Sequence, residues 1–200
     1  MKERTAVTVK TRLPTRHGHW TLLYYRSGLD HKEHLALIRG KVQGKEAVPV
    51  RIHSECITGD VFGSLRCDCG EQLEYALEYL GKQPYGVLLY LRQEGRGIGL
   101  YKKLLAYNLQ DQGFDTVEAN LQLGHQPDER DYQIAALILK ELGVGSIKLL
   151  TNNPHKIKAL EEAGIEVVER IPIEVGKTEE NLPYLKAKAE KLAHLLKLEE

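Results

Sequence analysis

The sequence predicts a mixed α/β (α+β) fold, built as a single compact domain over residues 1–200. The first third of the chain contains short runs of β-forming residues, separated by glycines and charged turns. The remainder alternates between segments with helical spacing and short apolar runs. Neither an internal repeat nor a low-complexity linker divides the chain, so we expect a β-rich N-terminal part followed by alternating helices and strands.

The apolar patterns assign the individual elements. We predict strands at residues 5–13, 20–26, 35–39, 48–53, 86–91, 147–151 and 165–171. We predict helices at residues 70–80, 100–112, 128–142, 154–163 and 181–198, of which the first three end near Gly81, Gly113 and Gly143. The strand, helix and strand between residues 147 and 171 predict a βαβ unit.

Charge and hydropathy exclude several classes of function. Lys plus Arg equals Asp plus Glu at 28 each, so the chain has no general positive field for nucleic acid, and any anion site must be local. We find neither a stretch of the ~18 apolar residues that span a membrane nor a signal-peptide core. We therefore expect a cytoplasmic protein that binds neither nucleic acid nor membrane. Clustered cysteines in that compartment are expected to be metal ligands or nucleophiles.

All three cysteines, Cys56, Cys67 and Cys69, lie within fourteen residues. Three thiolates leave one tetrahedral position of a zinc ion open, which is typical of a catalytic site. Two alternatives are three unrelated buried cysteines and a structural zinc completed by His53 or another histidine. Arg51 and Arg66 flank the cysteines and are expected to compensate their negative charge, together with the positive end of the helix beginning at Gly70.

Residues 91–100 (LRQEGRGIGL) follow a predicted strand and precede a helix. The glycines allow backbone N–H groups to approach an anion, although the motif matches neither a P-loop nor a dinucleotide fingerprint. A plain glycine turn is the alternative. We expect Glu94 to accept hydrogen bonds from a base such as guanine, and Arg92 and Arg96 to face phosphate.

Two further sets of polar residues lie near predicted helix starts. Asp128 is a good N-cap for the predicted helix 128–142, whereas Arg130 in its first turn opposes the helix dipole, which indicates a partner such as phosphate. Tyr107 lies on the preceding helix, where a tyrosine is more often a half-buried packing residue than a catalytic one. In the Thr151-Asn-Asn-Pro-His-Lys156 turn, Asn and Pro are typical of a helix start, and Thr151 and Lys156 lie where an anion would meet that helix.

Taken together, several segments resemble GTP cyclohydrolase II, the family that begins riboflavin synthesis from GTP. They are residues 51–60 (RIHSECITGD), 65–70 (LRCDCG), 92–100 (RQEGRGIGL), 108–113 (NLQDQG), 115–120 (DTVEAN), 128–132 (DERDY) and 150–154 (LTNNP). The likeness covers nearly the whole chain and is loosest before residue 51 and after residue 176. His125 stands where we expect an apolar residue in relatives.

The resemblance implies roles for individual residues. Cys56, Cys67 and Cys69 are implied as the ligands of one Zn²⁺ per subunit. Asp128 is implied as proton acceptor, Arg130 as a nucleophile toward the α-phosphate or an electrostatic clamp, and Tyr107 as a participant in ring opening. The implied contacts to GTP are Arg51, Ile52, His53, Ser54, Glu55, Gln72, Glu94, Gly95, Arg96, Thr116, Thr151 and Lys156.

The implied reaction opens the imidazole ring of GTP and releases formate and pyrophosphate. Its product is 2,5-diamino-6-(5-phosphoribosylamino)pyrimidin-4(3H)-one, with Mg²⁺ accompanying the triphosphate and a homodimer as the expected assembly. Three alternatives stay open: a family member that keeps the formyl group, a zinc nucleobase deaminase, and a zinc-stabilised binding module. His53-Ser-Glu55 matches the H-x-E of a deaminase, but the later pair is C-x-C where that class has P-C-x-x-C.

Overall fold

The computed structural model describes residues 6–196. Within that range the chain forms seven strands and seven α-helices. The strands are β1 (Ala6–Thr15), β2 (Gly18–Arg26), β3 (Glu33–Arg39), β4 (Val48–Ser54), β5 (Gly86–Leu91), β6 (Ser146–Leu150) and β7 (Glu166–Ile171). The helices are α1 (Ile57–Asp60), α2 (Cys69–Gly81), α3 (Gly99–Gln110), α4 (Thr116–Gln122), α5 (Gln133–Glu141), α6 (Pro154–Glu162) and α7 (Leu182–Leu192). Glu94–Gly97 forms a tight 3₁₀-like turn before α3, in which Gly95 and Arg96 have positive φ angles of 63° and 59°.

One mixed sheet contains all of these strands, in the order β1-β2-β3-β5-β4-β6-β7. The first four strands in this order, β1, β2, β3 and β5, pair antiparallel with their neighbours. From β5 onward, the strands β5, β4, β6 and β7 pair parallel. The predicted fold class and the βαβ unit are therefore confirmed. Because the carboxyl ends of parallel strands meet at one edge, the loops after β4, β5 and β6 converge there, which is where open α/β sheets bind ligands.

Helices cover both faces of the sheet. On one face, α5 and α6 bury Ile138 and Leu160 in the same cluster as Val50 of β4. On the other face, α2 packs Leu80 beside Trp20 of β2. Each fully buried apolar side chain of this kind contributes ~1.5–3 kcal/mol through removal from water. None of the described helices combines the length and apolar character of a membrane span.

The predicted helix at residues 128–142 is wrong at its start, because α5 begins only at Gln133. Asp128 caps no helix; it accepts hydrogen bonds from the backbone N–H and the guanidinium of Arg130. The backbone N–H of Glu129 donates to the carbonyl of Arg96, so this segment is held against the 3₁₀ turn. A local bond between a carboxylate and a nearby backbone N–H competes with helix formation, and here it prevails.

Other elements also differ from their predicted bounds. Helix α4 is absent from our predicted elements, although Asp115 and Glu118 form a capping box at its start that the sequence DTVE encodes. The short α1 is also absent from them. The last helix ends at Leu192 rather than at residue 198. Residue 5 of the first predicted strand and residues 197–198 of the last predicted helix lie outside the described residues.

Candidate active site

A cavity lies at the carboxyl edge of the parallel strands. Its free space, counted out to its open mouth, is about 1060 Å³. Its walls include these residues singled out from the sequence: Arg51, His53, Ser54, Glu55, Cys56, Cys67, Cys69, Gln72, Glu94, Gly95, Arg96, Tyr107, Thr116, Arg130, Thr151 and Lys156. Two of the residues implied as GTP contacts or catalytic groups do not line it. Ile52 is fully buried in β4, and Asp128 contacts the cavity only through Arg130.

The three cysteines form one group whose Sγ atoms lie within 4.8 Å of one another. The Sγ atoms of Cys56 and Cys67 are 3.6 Å apart, close to the ~3.8 Å edge of a tetrahedron built from Zn–S bonds of about 2.3 Å. Among the described residues no histidine or carboxylate joins this group. The donor set therefore fits a zinc ion held by three thiolates.

His53 does not complete the group, because both ring nitrogens are engaged elsewhere. Its Nδ1 faces the guanidinium of Arg51 at 3.5 Å and therefore accepts, which makes Nε2 the donor to Asp60 Oδ1 at 2.9 Å. Burial lowers the pKa of His53. The alternative of a closed zinc site with His53 as fourth ligand is not supported by this geometry.

The loop after β4 is held by Asp60 and Gly59. Asp60 Oδ2 accepts hydrogen bonds from the backbone N–H of Cys56 at 3.0 Å and from the hydroxyl of Tyr90 at 2.8 Å. A Cβ atom at Gly59 would lie 2.9 Å from the Sγ of Cys67, so a larger residue would push the thiol away. The sequence C-I-T-G-D thus lets the first cysteine approach the other two.

Lys103 of α3 is a cation in contact with one of the three cysteines, Cys56, and it was not identified from the sequence. Its Nζ lies 3.1 Å from the Sγ of Cys56 and 2.7 Å from Glu94 Oε1, and its side chain is 10 % exposed. A lysine in a helical segment gives no sequence signal of this role, since most such lysines face solvent.

The arginines that we expected beside the cysteines have other partners. Arg66 pairs with Asp111 at 2.6 Å and lies over the ring of Tyr107. Arg51 donates to Gln72 Oε1 at 2.8 Å and to the carbonyl of Leu150. Both line the cavity, but neither hydrogen-bonds a cysteine.

Tyr107 is placed beside the cysteine group rather than in a purely apolar contact. Its hydroxyl is 3.1 Å from Thr58 Oγ1, which in turn lies 3.7 Å from the Sγ of Cys56. Burial raises the pKa of Tyr107, so the hydroxyl is protonated at neutral pH. It is a hydrogen-bond donor at the edge of the candidate metal site.

A second region of the cavity is rich in cations. Both terminal nitrogens of Arg96 and the Nε of Arg51 are buried without a hydrogen-bond partner. Lys156 is 6 % exposed and donates to the carbonyl of Ile52 at 2.8 Å. Its pKa is lowered by burial and by the charges of Arg51 and Arg130. An anion here would pair the buried donors and relieve the repulsion among the cations.

Arg130 and Asp128 form a tight pair at the border of this region. Arg130 Nε lies 2.8 Å from Asp128 Oδ1, and a terminal nitrogen donates to Asp128 Oδ2. Burial opposes ionisation of Asp128, but the bonds from Arg130 lower its pKa below its usual value. Burial also disfavours the charged form of Arg130, but the hydrogen bonds and the charge of Asp128 raise its pKa, so the guanidinium is protonated.

The polar residues of the glycine- and arginine-rich loop, residues 91–100, do not all face the cavity. Arg96 occupies the cavity with φ 59°, whereas Arg92 lies outside its lining and donates to Glu55 Oε2 at 2.9 Å. The carboxylate of Glu94 already accepts from Lys103 and from two backbone N–H groups, those of Ile57 and Gly95. Glu94 therefore has little remaining capacity to bind a base at both oxygens.

The turn after β6 is confirmed as a helix start. Asn153 Oδ1 accepts from the backbone N–H of His155 at 2.9 Å, with Pro154 in the first turn. Thr151 Oγ1 accepts from the N–H of Asn153 at 3.0 Å. Both bonds fix the turn that brings Lys156 to the cavity.

The C-terminal segment supplies three lining residues that our reading of the sequence did not identify: Tyr184, Lys188 and His194. Tyr184 stacks against Arg96, with the guanidinium 5.6 Å from the ring centre. The helical pattern of this segment predicted α7 but not what it packs on.

Comparisons with known proteins give clear matches over most of the chain. The model of a family described as GTP cyclohydrolase II matches residues 5–172. A protein named GTP cyclohydrolase-2, from Picrophilus torridus, is 53% identical over 186 residues, which are 93% of this chain and 96% of that protein. Riboflavin biosynthesis protein RibBA of Bacillus cereus (strain B4264) is 56% identical over 190 residues, 95% of this chain and 48% of that protein. The chain thus spans about half the length of its RibBA relatives.

Proposed function

Because the chain belongs to the GTP cyclohydrolase II family, we propose that it hydrolyses GTP with zinc. The reaction opens the imidazole ring of guanine and releases formate and pyrophosphate, giving 2,5-diamino-6-(5-phosphoribosylamino)pyrimidin-4(3H)-one for riboflavin biosynthesis. One observation carries the proposal: a three-thiolate group and a set of buried, unpartnered guanidinium nitrogens share one cavity. The first suits a metal that acts on the base, and the second suits the triphosphate.

Cys56, Cys67 and Cys69 would hold the zinc ion. Zinc bound by three protein ligands supplies a Lewis acid that lowers the pKa of water. Lys103 offsets one of the three thiolate charges through its contact with Cys56. Tyr107 provides a proton donor beside this group, where ring opening needs one.

Arg51, Arg96 and Lys156 would bind the triphosphate, since their buried donors and mutual repulsion favour a polyanion. Arg130 is held by Asp128 and remains charged. A protonated guanidinium is a poor nucleophile, so its geometry supports a clamp on the charge of the phosphate in the transition state over covalent attack. Recovery of a phosphoramidate-linked GMP on Arg130 would overturn this assignment.

Three elements of the proposal rest on the family likeness alone. They are Mg²⁺ accompanying the triphosphate, assembly as a homodimer and a cytoplasmic location. The contacts of Thr116, Ser54, His53, Gly95 and Gln72 with GTP are likewise proposed from their place on or beside the cavity wall.

The test is incubation of the zinc-loaded protein with GTP and Mg²⁺, with formate, pyrophosphate and ammonia measured together. We expect formate and pyrophosphate in equal amounts and no ammonia. Pyrophosphate without formate would indicate the formyl-retaining alternative, ammonia would indicate a deaminase, and intact GTP would indicate a binding module. Cys67→Ser should abolish formate release and zinc retention. Wild-type protein stripped by a chelator and reloaded with zinc is the control, and should recover activity.

A further inference from the structure

Helix α7 lies beyond the residues that the family model matches, yet it reaches the cysteine group. Lys188 Nζ lies 3.0 Å from Asp68 Oδ1 and 3.1 Å from Asp68 Oδ2. The two side chains are only 8 % and 3 % exposed. This is a buried ion pair across 120 residues of sequence.

Asp68 is the residue between Cys67 and Cys69, so its position sets the turn that carries two of the three thiols. It also accepts from Gln72 Nε2 at 2.6 Å. Gln72 Oε1 in turn accepts from Arg51 at 2.8 Å. One continuous chain of polar contacts therefore runs from Lys188 through Asp68 and Gln72 to Arg51 of the phosphate region.

Lys188 is not the only attachment of α7. Lys191 pairs with Asp115 and Glu118 on α4, and Leu185 is buried. Beyond the helix, the backbone N–H of Leu195 donates to the carbonyl of Asn152. These contacts attach α7 to the rest of the protein without Lys188. The pair between Lys188 and Asp68 therefore has an effect of its own, on the turn that carries Cys67 and Cys69.

We propose that Lys188 is a positioning residue for the metal site: it fixes Asp68, and thereby the Cys67-Asp-Cys69 turn and the Gln72–Arg51 pair. The C-terminal helix is then a part of the catalytic unit. This inference rests on the proposed function for its effect on turnover, but its effect on metal binding does not depend on the substrate. Groups that orient metal ligands commonly change metal affinity or activity by about 10–100-fold when they are removed.

The experiment compares Lys188→Met with Lys188→Arg and with Lys186→Met, an exposed lysine on the same helix. Zinc affinity is measured by competition with a chelator, and the geometry of the thiolates by the absorption bands of the cobalt(II)-substituted protein. We expect Lys188→Met to lower zinc affinity by about 10-fold or more, to shift the cobalt bands and to lower kcat for GTP. Lys188→Arg should restore most of each property, and Lys186→Met should match the wild type.

A buried carboxylate left without its partner can unfold a protein, so a second variant separates positioning from stability. Lys188→Met combined with Asp68→Asn removes both charges together. If Lys188 positions the turn, the double variant folds but keeps the weakened zinc affinity and the shifted cobalt bands. Wild-type zinc affinity and cobalt bands in either Lys188→Met variant would overturn the proposal. If the wild-type protein released no formate, the proposed function would fail, while the two metal readouts would still decide this inference.

Discussion

The Nζ of Lys103 lies 3.1 Å from the Sγ of Cys56, and the same ammonium also contacts Glu94 and Thr58. A zinc ion with three thiolates carries a net negative charge, and a buried cation beside one sulfur reduces it. We predict that Lys103→Met lowers zinc affinity by about 10-fold, as removal of a group beside a metal ligand commonly does. Competition with a chelator measures this.

Lys102→Met is the matched control for that variant. Lys102 is its neighbour in α3, and its Nζ contacts His125 rather than a cysteine. We expect the zinc affinity of Lys102→Met to equal that of the wild type. Equal losses in the two variants would show that Lys103 acts only through general charge.

Arg96 and Arg92 give a second test, because two arginines of one loop have different surroundings. Arg96→Met removes buried donors that have no partner, and charged hydrogen bonds are worth about 1.5–3 kcal/mol. We predict a rise of about 10–100-fold in KM for GTP, since 1.4 kcal/mol corresponds to tenfold. The same variant should melt at a higher temperature without nucleotide, because two buried guanidinium nitrogens without hydrogen-bond partners are removed.

Arg92→Met should raise KM by less than about threefold, since Arg92 does not line the cavity and its exposed pair with Glu55 is of the kind worth ~0–1 kcal/mol. Steady-state kinetics and thermal unfolding of both variants supply the comparison. Comparable increases in KM would mean that both arginines face phosphate, as the sequence pattern suggested.

The contrast between these residues shows what the sequence could and could not predict. The cysteine spacing, the βαβ unit at residues 147–171 and the Asn153 cap were predictable, because each depends on residues close together in the chain. Lys103 and Lys188 were not, since their partners lie 47 and 120 residues away and a helical lysine normally faces solvent. Asp128 misled the prediction because its local capping signal is overridden by Arg130 and by the contact of Glu129 with Arg96.

Ala193 ends α7 in the left-handed conformation, with φ 53°. This turn lets Leu195 bond to Asn152, and it costs a residue with a Cβ atom more than it costs glycine. We predict that Ala193→Gly stabilises the protein by about 0.5–1 kcal/mol. Ala189→Gly, inside the same helix, should destabilise it by a similar amount. Urea unfolding measures both, and a loss of stability in Ala193→Gly would contradict the assigned turn.

His194 provides a pH-dependent prediction. Burial lowers its pKa to about 2, and the charges of Lys188, Arg130, Lys156 and Arg96 act in the same direction. The unfolded chain takes up a proton at this histidine near pH 6.5, whereas the folded protein does not until about pH 2. The part of the folding stability that depends on neutral His194 is therefore fully present above pH 6.5 and is lost as pH falls toward 2. Between pH 7 and pH 5 this lowers the free energy of unfolding by about 2 kcal/mol.

His194→Gln tests this prediction, because glutamine stays neutral throughout. Packing changes shift the stability of the variant equally at both pH values, so the quantity to compare is the difference in free energy of unfolding between pH 7 and pH 5. We expect that difference to be about 2 kcal/mol smaller in His194→Gln than in the wild type. The exposed His155 offers a control, and His155→Gln should retain the wild-type difference. If His194→Gln retained it too, His194 would be protonated in the folded state, and the cation-rich wall assigned to it would be wrong.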